Sequence, residues 1–407
     1  MVNRSALLRR AAALAATALA LLPLSGCAAV TGTAAQDAAS AGGASCPAPT
    51  AADIVPESGA LLGVSLDWTR LTVDEYATRL GRSPAVAVQF FGFPLTDEDV
   101  ANLHSAADQL RPSGAALLVT LEPHDGLGAV TADTAADVAR VLAEVNRSGV
   151  PVLVRFAHEM NGSWYPWSQQ PTAYVAAFRT VADAVHREAP GSAMMWAPNY
   201  GGGYPFSGGR YVTTHGEADF ATLDTDGDGV VTMADDPYSP YYPGDDAVDW
   251  VGMSLYHWGS AYPWGENEPP EEGKFAAQLT GTYAGAGGDD SALPDFYGTY
   301  AAGHGKPLAI PETAALVVPR GDAAGEFAIK QAWWRQVFSQ DTADRFPELH
   351  LIDWFEWDKT EPEIGDEVDW TVTADPATRR AFAADLPSWV LGADALPPAC
   401  GASRAAG

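Results

Sequence analysis

A carboxyl group and several aromatic rings follow directly on an apolar run in the segment VLVRFAHEMNGSWYPW, residues 152–167. The apolar run ends at Ala157, and Glu159, Asn161 and Trp164 come soon after it. Placing a carboxyl group beside a hydrophobic core costs free energy, so such a group usually has a function. A glutamate placed there could transfer a proton or attack an electrophilic carbon, which makes the segment a candidate site.

The ends of other apolar runs carry similar side chains, rich in carboxylates, indoles and amides. They contain Asp67-Trp68, Glu122-Pro123-His124, Trp196 with Asn199, Tyr256-His257-Trp258, Glu312, and Trp354 to Lys359. Two glutamates lined by tryptophan are what retaining glycoside hydrolysis requires. One carboxyl protonates the leaving oxygen, and the other attacks the anomeric carbon from ~5–5.5 Å away. Tryptophan faces stack on sugar rings, while amide, imidazole and phenol groups bond the hydroxyls.

Eight apolar, strand-like runs determine where these groups lie. They are Leu61–Leu66, Ala85–Phe91, Ala115–Leu121, Val152–Ala157, Ala193–Ala197, Val248–Leu255, Leu308–Ile310 and Leu349–Phe355. Most of the gaps contain stretches with apolar residues at three- and four-residue spacing, which predicts helices over 97–110, 134–147, 172–188 and 326–339. The candidate N-terminal caps are Thr96, followed by Asp97 and Asp99, and Thr134.

This alternation predicts an α/β fold, a (β/α)8 TIM barrel with a long insertion between strands 5 and 6, over residues 200–247. In such a barrel the carboxyl ends of the strands meet at one face, so the candidate groups would converge there. A doubly wound open sheet is the alternative. It has no support from a glycine-rich dinucleotide or phosphate loop.

The segment RFAHEMNGSWYPW resembles the fourth-strand signature of glycoside hydrolase family 26, the β-mannanase and related family of the clan A (β/α)8 glycosidases. Members of that family carry the acid/base glutamate directly after a histidine, with Asn-Gly and Trp following. The segment KPLAIPETAA, residues 306–315, resembles the seventh-strand segment that holds the nucleophile. The segments MMWAPN, SLYHW and WFEWDK are similar to those of the fifth, sixth and eighth strands.

The resemblance implies that Glu159 is the catalytic acid/base and Glu312 the nucleophile. The charge of Glu312 is expected to raise the pKa of Glu159 so that it is protonated before attack. Strand alternation places Arg155, Ala157 and Glu159 on one face. Arg155 is therefore expected below the carboxylates, where it would stabilise the ionised form of Glu312. His158 is expected to orient Glu312 or a sugar hydroxyl.

Aromatic and polar side chains make up the remaining candidate contacts to a glycan. Tyr256 shares a strand face with Gly252 and Ser254, whose small side chains leave room beneath a sugar, and it is expected to bond Glu312. Trp357 is the expected platform at the cleavage subsite, although a tryptophan in a barrel can also be simple core. The other candidate substrate-binding residues are Trp164, Trp196, Asn199 and His124.

The segment DTDGDGVVTMAD, residues 224–235, has the spacing of a calcium loop, with Asp at loop positions 1, 3, 5 and 12 and Gly at position 6. The candidate ligands are Asp224, Asp226, Asp228, Val230 through its carbonyl, Thr232 and Asp235. The segment resembles a single dockerin-type loop, but dockerin loops come in pairs at a chain end. We therefore expect a structural calcium ion that stiffens the insertion, with an acidic surface turn as the alternative.

Residues 1–26 have the pattern of a lipoprotein signal peptide. Arginines precede an apolar run from Ala11 to Leu22, which is too short to span a bilayer. The sequence LSGC, residues 24–27, resembles a bacterial lipobox, so Cys27 is the expected lipidated residue. An ordinary signal peptide with an incidental cysteine is the alternative. The prediction is an exported, extracellular protein, lipid-anchored on the outer face of the cytoplasmic membrane.

Residues 27–50 are the predicted tether between this anchor and a domain over residues 51–400. Residues 28–45 are almost entirely Ala, Gly, Thr and Ser, a composition that cannot form a core. Cys46 and Cys400 lie at the two edges of the predicted domain. In an exported protein a pair of cysteines is more often bridged than free, so a disulfide between them is expected.

The net charge of −29, from 23 Lys and Arg against 52 Asp and Glu, limits the partners. Such a charge repels phosphate backbones and anionic lipid, so nucleic acid is excluded as a partner and membrane contact is expected only through the lipid anchor. It is compatible with a neutral polysaccharide or oligosaccharide. We expect the protein to act as a monomer.

Two classes of function remain open. The first is a surface-anchored retaining endo-β-glycanase, mannanase-like or acting on mixed-linkage β-glucan or xylan, which cleaves β-linked polysaccharide by double displacement. The second is a non-catalytic glycan-binding lipoprotein. A pure binder has no use for a costly pair of carboxylates, which favours the enzyme. No cofactor is expected for catalysis. Zinc is disfavoured because position 162 is Gly, where the H-E-x-x-H motif has its second histidine.

Overall fold

A computed structural model describes residues 49–260 and 262–397 of the chain. Within these ranges eight parallel strands close into a barrel, since the eighth strand pairs with the seventh and also with the first. The strands are β1 (Ala60–Leu66), β2 (Val86–Gly92), β3 (Ala116–Glu122), β4 (Val152–Phe156), β5 (Ser192–Trp196), β6 (Trp250–Ser254), β7 (Leu308–Thr313) and β8 (Leu349–Glu356). The predicted (β/α)8 barrel is confirmed, and the open doubly wound sheet is excluded.

Helices lie between the strands on the outside of the barrel. They are α1 (Val73–Leu80), α2 (Asp97–Leu110), α3 (Ala132–Arg147), α4 (Pro171–Glu188), α5 (Phe220–Leu223), α6 (Lys274–Leu279), α7 (Ala323–Val337), α8 (Gln340–Arg345) and α9 (Pro376–Asp385), with a π-helical turn at Tyr297–Ala302. The four predicted helices are confirmed as α2, α3, α4 and α7.

The capping residues of α2 and α3 test the predicted helix starts. Thr96 caps α2 and accepts a hydrogen bond from Asp99 N, as predicted. The cap of α3 is Thr131, three residues before the predicted one, and Thr134 returns a hydrogen bond to it from the first turn. The prediction of Thr134 as the cap was therefore wrong, because both members of this capping box are threonines.

The strands bury side chains on both faces. One face of each strand points into the barrel, where Val88, Leu118 and Met195 belong to one apolar cluster. The other face packs against the helices, and there Val119, Trp196 and many helix residues form a second, larger cluster. Because both faces are apolar, the strands appear in the sequence as continuous runs rather than as alternating patterns.

The barrel interior also holds polar groups below the mouth. Arg155, Asp353 and Thr120 are fully buried there. Asp353 lies opposite Gly63 on the neighbouring strand, and a Cβ at Gly63 would be 1.5 Å from Asp353 Oδ1. A glycine is therefore required at this position to leave room for a carboxyl group in the interior.

The predicted insertion between strands 5 and 6 is confirmed, since β5 ends at Trp196 and β6 begins at Trp250. Among the described residues, no helix is long and apolar enough to cross a membrane. The predicted signal peptide, Cys27, nearly all of the tether, Cys46 and Cys400 lie outside the described residues.

Candidate active site

Glu159 is held by a turn at the end of β4. The strand ends at Phe156, and both Ala157 (φ 46°) and Glu159 (φ 54°) then adopt left-handed backbone conformations. Such conformations are uncommon for residues other than glycine and are often found at functional sites. The Glu159 N–H donates to Ala197 O at 2.9 Å, which ties the turn to the end of the neighbouring strand β5. Glu159 is only 8% exposed.

The Glu159 carboxylate accepts a hydrogen bond from Trp164, whose Nε1 lies 3.0 Å from Oε2. Gly162, between the two, makes this contact possible, because a Cβ there would come within 2.5 Å of the indole ring. Trp164 remains 36% exposed, so it lies at the edge of the cleft with its N–H directed at the carboxylate. The glycine in the predicted motif thus has a packing role.

Glu312 lies on β7 and accepts two hydrogen bonds from charged or polar donors. Arg155 Nη2 is 2.5 Å from Oε1, and the Tyr256 hydroxyl is 2.6 Å from Oε2. Arg155 is fully buried and Glu312 is 7% exposed, so this is an ion pair inside the protein. Both contacts were predicted from strand alternation and are present in the structure.

The two glutamates have different electrostatic environments. Burial, followed by the negative charge of Glu312, raises the pKa of Glu159 to about 7, against the opposing effects of Arg155 and the Trp164 hydrogen bond. Burial and the charge of Glu312 also raise the pKa of Tyr256. The phenol therefore stays protonated and donates a hydrogen bond to Glu312. A protonated carboxyl group thus lies near an ion-paired carboxylate.

His158 is buried among aromatic rings. Its ring centre lies 5.0 Å from that of Tyr165 and 5.8 Å from that of Phe90. Burial, together with the charge of Arg155, lowers the pKa of His158 well below its usual value, so the imidazole is neutral. Its Nδ1 has no hydrogen-bond partner among the described residues, and no hydrogen bond to Glu312 is observed there.

Three other predicted sugar contacts, Trp357, Trp196 and Asn199, differ in how deeply they are buried. Trp357 follows β8, is half-buried and stacks on Phe355 with 5.8 Å between ring centres. Trp196 is fully buried between barrel and helices, where its ring packs 4.9 Å from Tyr300. It therefore lies in the core rather than in the cleft. Asn199 is half-buried and forms a bridge with Ser254 at the end of β6.

Two polar residues at the barrel mouth, Glu122 and Tyr165, have no role in the predicted site. Glu122, the last residue of β3, lies 3.4 Å from the predicted contact His124, measured from Oε2 to Nε2. Tyr165 stacks on Trp167 with 4.4 Å between ring centres. Burial, followed by the charges of Glu159, Glu312 and Glu122, raises the pKa of Tyr165. The signal for Glu122 was present in the strand alternation, since Leu118 points inward.

Buried polar residues of the segment 158–169 hold the insertion and the residue before it in place. Asn161 exchanges two hydrogen bonds of 2.8 Å with the backbone of Asn199. Ser163 Oγ donates to Phe206 O at 2.6 Å. Gln169 donates to Pro205 O at 2.7 Å and accepts from Thr213 N at 2.8 Å. We call Asn161, Ser163 and Gln169 the insertion anchor.

The predicted calcium loop brings carboxylates together. Oxygen atoms of Asp224, Asp226 and Asp235 lie within 4.8 Å of one another. Asp235 is buried and accepts from the N–H groups of Thr225 and Thr232. Asp224 Oδ1 is buried without a hydrogen-bond partner among the described residues, which leaves a lone pair for a cation. The donor set of carboxylate oxygens fits calcium.

Comparisons with known proteins match the middle of the chain to one family. The model described as glycosyl hydrolase family 26 matches residues 119–199, which include β4 and Glu159. Endoglucanase H of Acetivibrio thermocellus is 25% identical over 194 residues, a stretch that is 46% of this chain and 18% of that protein. The predicted resemblance to glycoside hydrolase family 26 is thus confirmed over residues 119–199. It spans less than a fifth of the curated relative's length.

Solved structures share the barrel fold. GH26C from Muricauda sp. is 13% identical with a TM-score of 0.53, over 85% of this chain and 90% of that one. A double mutant of the endo-β-1,4-mannanase of Cellulomonas fimi is 18% identical with a TM-score of 0.50, over 83% of this chain and 72% of that one. At these identities the likeness shows the fold. The family match supports the predicted resemblance to family 26 over the segment that contains β4 and Glu159.

Proposed function

We propose that this protein is a retaining endo-β-glycanase of glycoside hydrolase family 26, in which Glu159 is the acid/base and Glu312 the nucleophile. The observation that carries the proposal is the difference between the two carboxyl groups. The pKa of Glu159 is raised to about 7, so it can carry a proton, while Glu312 is paired with Arg155 and Tyr256. Environments that separate two carboxyl groups in this way define an acid and a nucleophile.

The reaction then proceeds in two displacements. Glu312 attacks the anomeric carbon and forms a glycosyl ester, while Glu159 gives its proton to the leaving glycosidic oxygen. Glu159 is now a carboxylate, and it removes a proton from water as the water attacks the same carbon and releases Glu312. Tyr256 and Arg155 keep their hydrogen bonds to Glu312, which orients the attacking oxygen.

The proposed substrate is a neutral β-linked polysaccharide. Trp357 stacks on Phe355 at the end of β8, and Trp164 is exposed beside Glu159, so rings are present on which sugars can stack. The net charge of −29 disfavours acidic glycans. The names of the relatives, an endoglucanase and an endo-β-1,4-mannanase, put β-mannan and β-glucan first among the candidates.

Hydrolysis of a glycan panel tests the proposal. Purified protein is incubated with β-mannan, mixed-linkage β-glucan and xylan, and the appearance of reducing ends and the length of early products are measured. Glu159→Ala and Glu312→Ala are the controls for contaminating activity. Internal cleavage of one polysaccharide, lost in both variants, is the expected result. Binding to a glycan without turnover would favour the non-catalytic glycan-binding lipoprotein instead.

We also propose that the chain is exported and lipid-anchored through Cys27, with a bridge between Cys46 and Cys400. The support is the sequence alone: an arginine-flanked apolar run, the LSGC sequence and one cysteine at each edge of the domain. Mass spectrometry of the protein from its native membrane, with and without reductant, tests both points. An unmodified Cys27 or two free thiols would contradict the corresponding proposal.

We propose, third, a structural calcium ion in the loop 224–235. Three carboxylates within 4.8 Å and the unpartnered Asp224 Oδ1 support it. Calcium would be held by the carboxylates, with Val230 O and Thr232 as further ligands by loop position. The ion would supply rigidity to the insertion and would take no part in the displacement.

A further inference from the structure

A third carboxylate, Glu122, lies at the barrel mouth and has no role in the double displacement. Glu122 is the last residue of β3, on the strand face where Leu118 belongs to the interior cluster and Thr120 is fully buried. Strand alternation directs the Glu122 side chain inward, over the interior rather than toward the helices. It therefore faces the same cleft as the two catalytic glutamates.

The position of Glu122 in the sheet places it beside the catalytic turn. The preceding residue, Leu121, pairs with Phe156 on β4 and accepts a hydrogen bond from Ala157 N at 2.9 Å. The charges of Arg155 and Glu312 both act on the pKa of Glu122, which burial raises. Sheet register and electrostatics thus agree that this carboxylate is close to the reacting groups.

The Glu122 carboxylate has spare hydrogen-bonding capacity. Its side chain is 16% exposed, and its nearest charged partner is His124, which is 59% exposed. No other side-chain hydrogen bond of Glu122 occurs among the described residues. A carboxylate has about four lone-pair sites, and leaving them empty under a bound ligand would be costly. A ligand that covers Glu122 must therefore offer donors.

We propose that Glu122 and His124 bind hydroxyl groups of a sugar in the cleft and act as specificity-determining residues. The inference rests on the proposed function, because it takes a glycan as the ligand. A carboxylate can accept from two neighbouring hydroxyls, and an imidazole can accept or donate to another. β3 is three strands from β8 around the barrel, so the contact is separate from the ring platform of Trp357.

The proposal predicts a change in KM rather than in kcat. Glu122→Ala should raise KM for the hydrolysed glycan at least about tenfold, because a site built to bind hydroxyls discriminates strongly when a partner is missing. kcat should stay within about threefold. His124→Ala, at an exposed residue whose loss does not threaten folding, should raise KM about threefold or more. Glu122→Gln, which keeps one acceptor, should lie between wild type and Glu122→Ala.

A matched control exists on the outside of the barrel. Glu144 Oε2 lies 3.5 Å from His104 Nε2, and both residues are exposed on helices. Glu144→Ala removes an equivalent carboxylate–histidine contact without touching the cleft, so its KM should equal that of wild type. Equal KM values for Glu122→Ala, His124→Ala and Glu144→Ala would overturn the proposal, as would a loss of kcat with unchanged KM.

Binding distinguishes failure of this inference from failure of the proposed function. If the wild type hydrolyses none of the glycans, calorimetric titration with mannohexaose, cellohexaose and xylohexaose replaces kinetics. Weaker binding by Glu122→Ala than by Glu144→Ala would then support a hydroxyl contact in a non-catalytic binder. Equal binding by the two variants, or no binding by the wild type, would overturn the inference.

Discussion

Arg155 Nη2 lies 2.5 Å from Glu312 Oε1, although the two residues belong to β4 and β7, three strands apart in the barrel. The guanidinium therefore reaches across the barrel interior. Its Nε and Nη1 have no hydrogen-bond partner among the described residues. Among the described residues, the Arg155 guanidinium thus bonds to the Glu312 carboxylate alone. The effects of replacing Arg155 can therefore be predicted.

Arg155→Met should lower both activity and stability. Removing one partner of a buried ion pair leaves an unpaired charge and costs about 3–5 kcal/mol in the free energy of unfolding. The charge of Arg155 lowers the pKa of Glu159, so its loss should raise that pKa further and move the basic limb of the pH–rate profile to higher pH. Urea denaturation and kcat/KM against pH measure the two effects. The control is Arg179→Met, which breaks an exposed ion pair with Asp246. It should change neither the free energy of unfolding nor the pH–rate profile by much.

The activity of the wild type should fall as pH rises through about 7. Glu159 must be protonated to act as the acid, and its pKa is about 7. Trp164→Phe removes an N–H donor that stabilises the ionised form, so the basic limb should move to higher pH. Gly162→Ala should have the same effect by displacing the indole, whereas Gly208→Ala, with open space around its Cβ, should not. A limb that stays in place in Trp164→Phe would contradict the acid role of Glu159.

The roles proposed for Glu159 and Glu312 should be separable by stereochemistry. Glu312→Gly opens space at one face of the anomeric carbon, where azide can attack an activated glycoside and give a product of inverted configuration. Glu159→Ala should still form the glycosyl-enzyme with an activated leaving group, and azide should release it with retained configuration. NMR of the glycosyl azides measures the outcome. Swapped configurations would mean that the roles are reversed.

Calcium should raise the melting temperature of the folded protein. An ion that binds only the native state at a hundred times its Kd stabilises that state by about 2.7 kcal/mol. The test compares thermal melts in chelator and in millimolar calcium for wild type, Asp224→Asn and Asp236→Asn. The calcium-dependent shift should disappear in Asp224→Asn and remain in Asp236→Asn, since Asp236 caps a turn outside the carboxylate cluster. Identical wild-type melts would refute the site.

The strands of this barrel could be predicted because both of their faces are buried, so each strand is a continuous run of apolar residues in the sequence. The run Ala115–Leu121 corresponds to β3 (Ala116–Glu122), and Val152–Ala157 to β4. Short helices such as α6 (Lys274–Leu279) could not be predicted, because six residues are too few to show the helical period of apolar residues.

Strand alternation predicts which side chains of a strand point into the barrel and can reach the site. Arg155 and Tyr256 were assigned by alternation and do contact Glu312. The residue type of Trp196 predicts a sugar contact. Its neighbour Met195 points inward, however, so the indole must point outward into the helix layer. His158 could not be assigned in this way, because the left-handed turn at Ala157 interrupts the strand geometry.

The insertion anchor has a consequence for protein engineering. Ser163 and Gln169 bond to the insertion 200–247, and Asn161 bonds to Asn199 directly before it. All three are buried residues of the same short segment as Glu159. A chimera that receives residues 200–247 alone would lack the groups that satisfy the backbone of this loop. The transplantable module is therefore discontinuous and consists of residues 158–169 together with 200–247. Any exchange of the loop between barrels also exchanges the segment that carries Glu159.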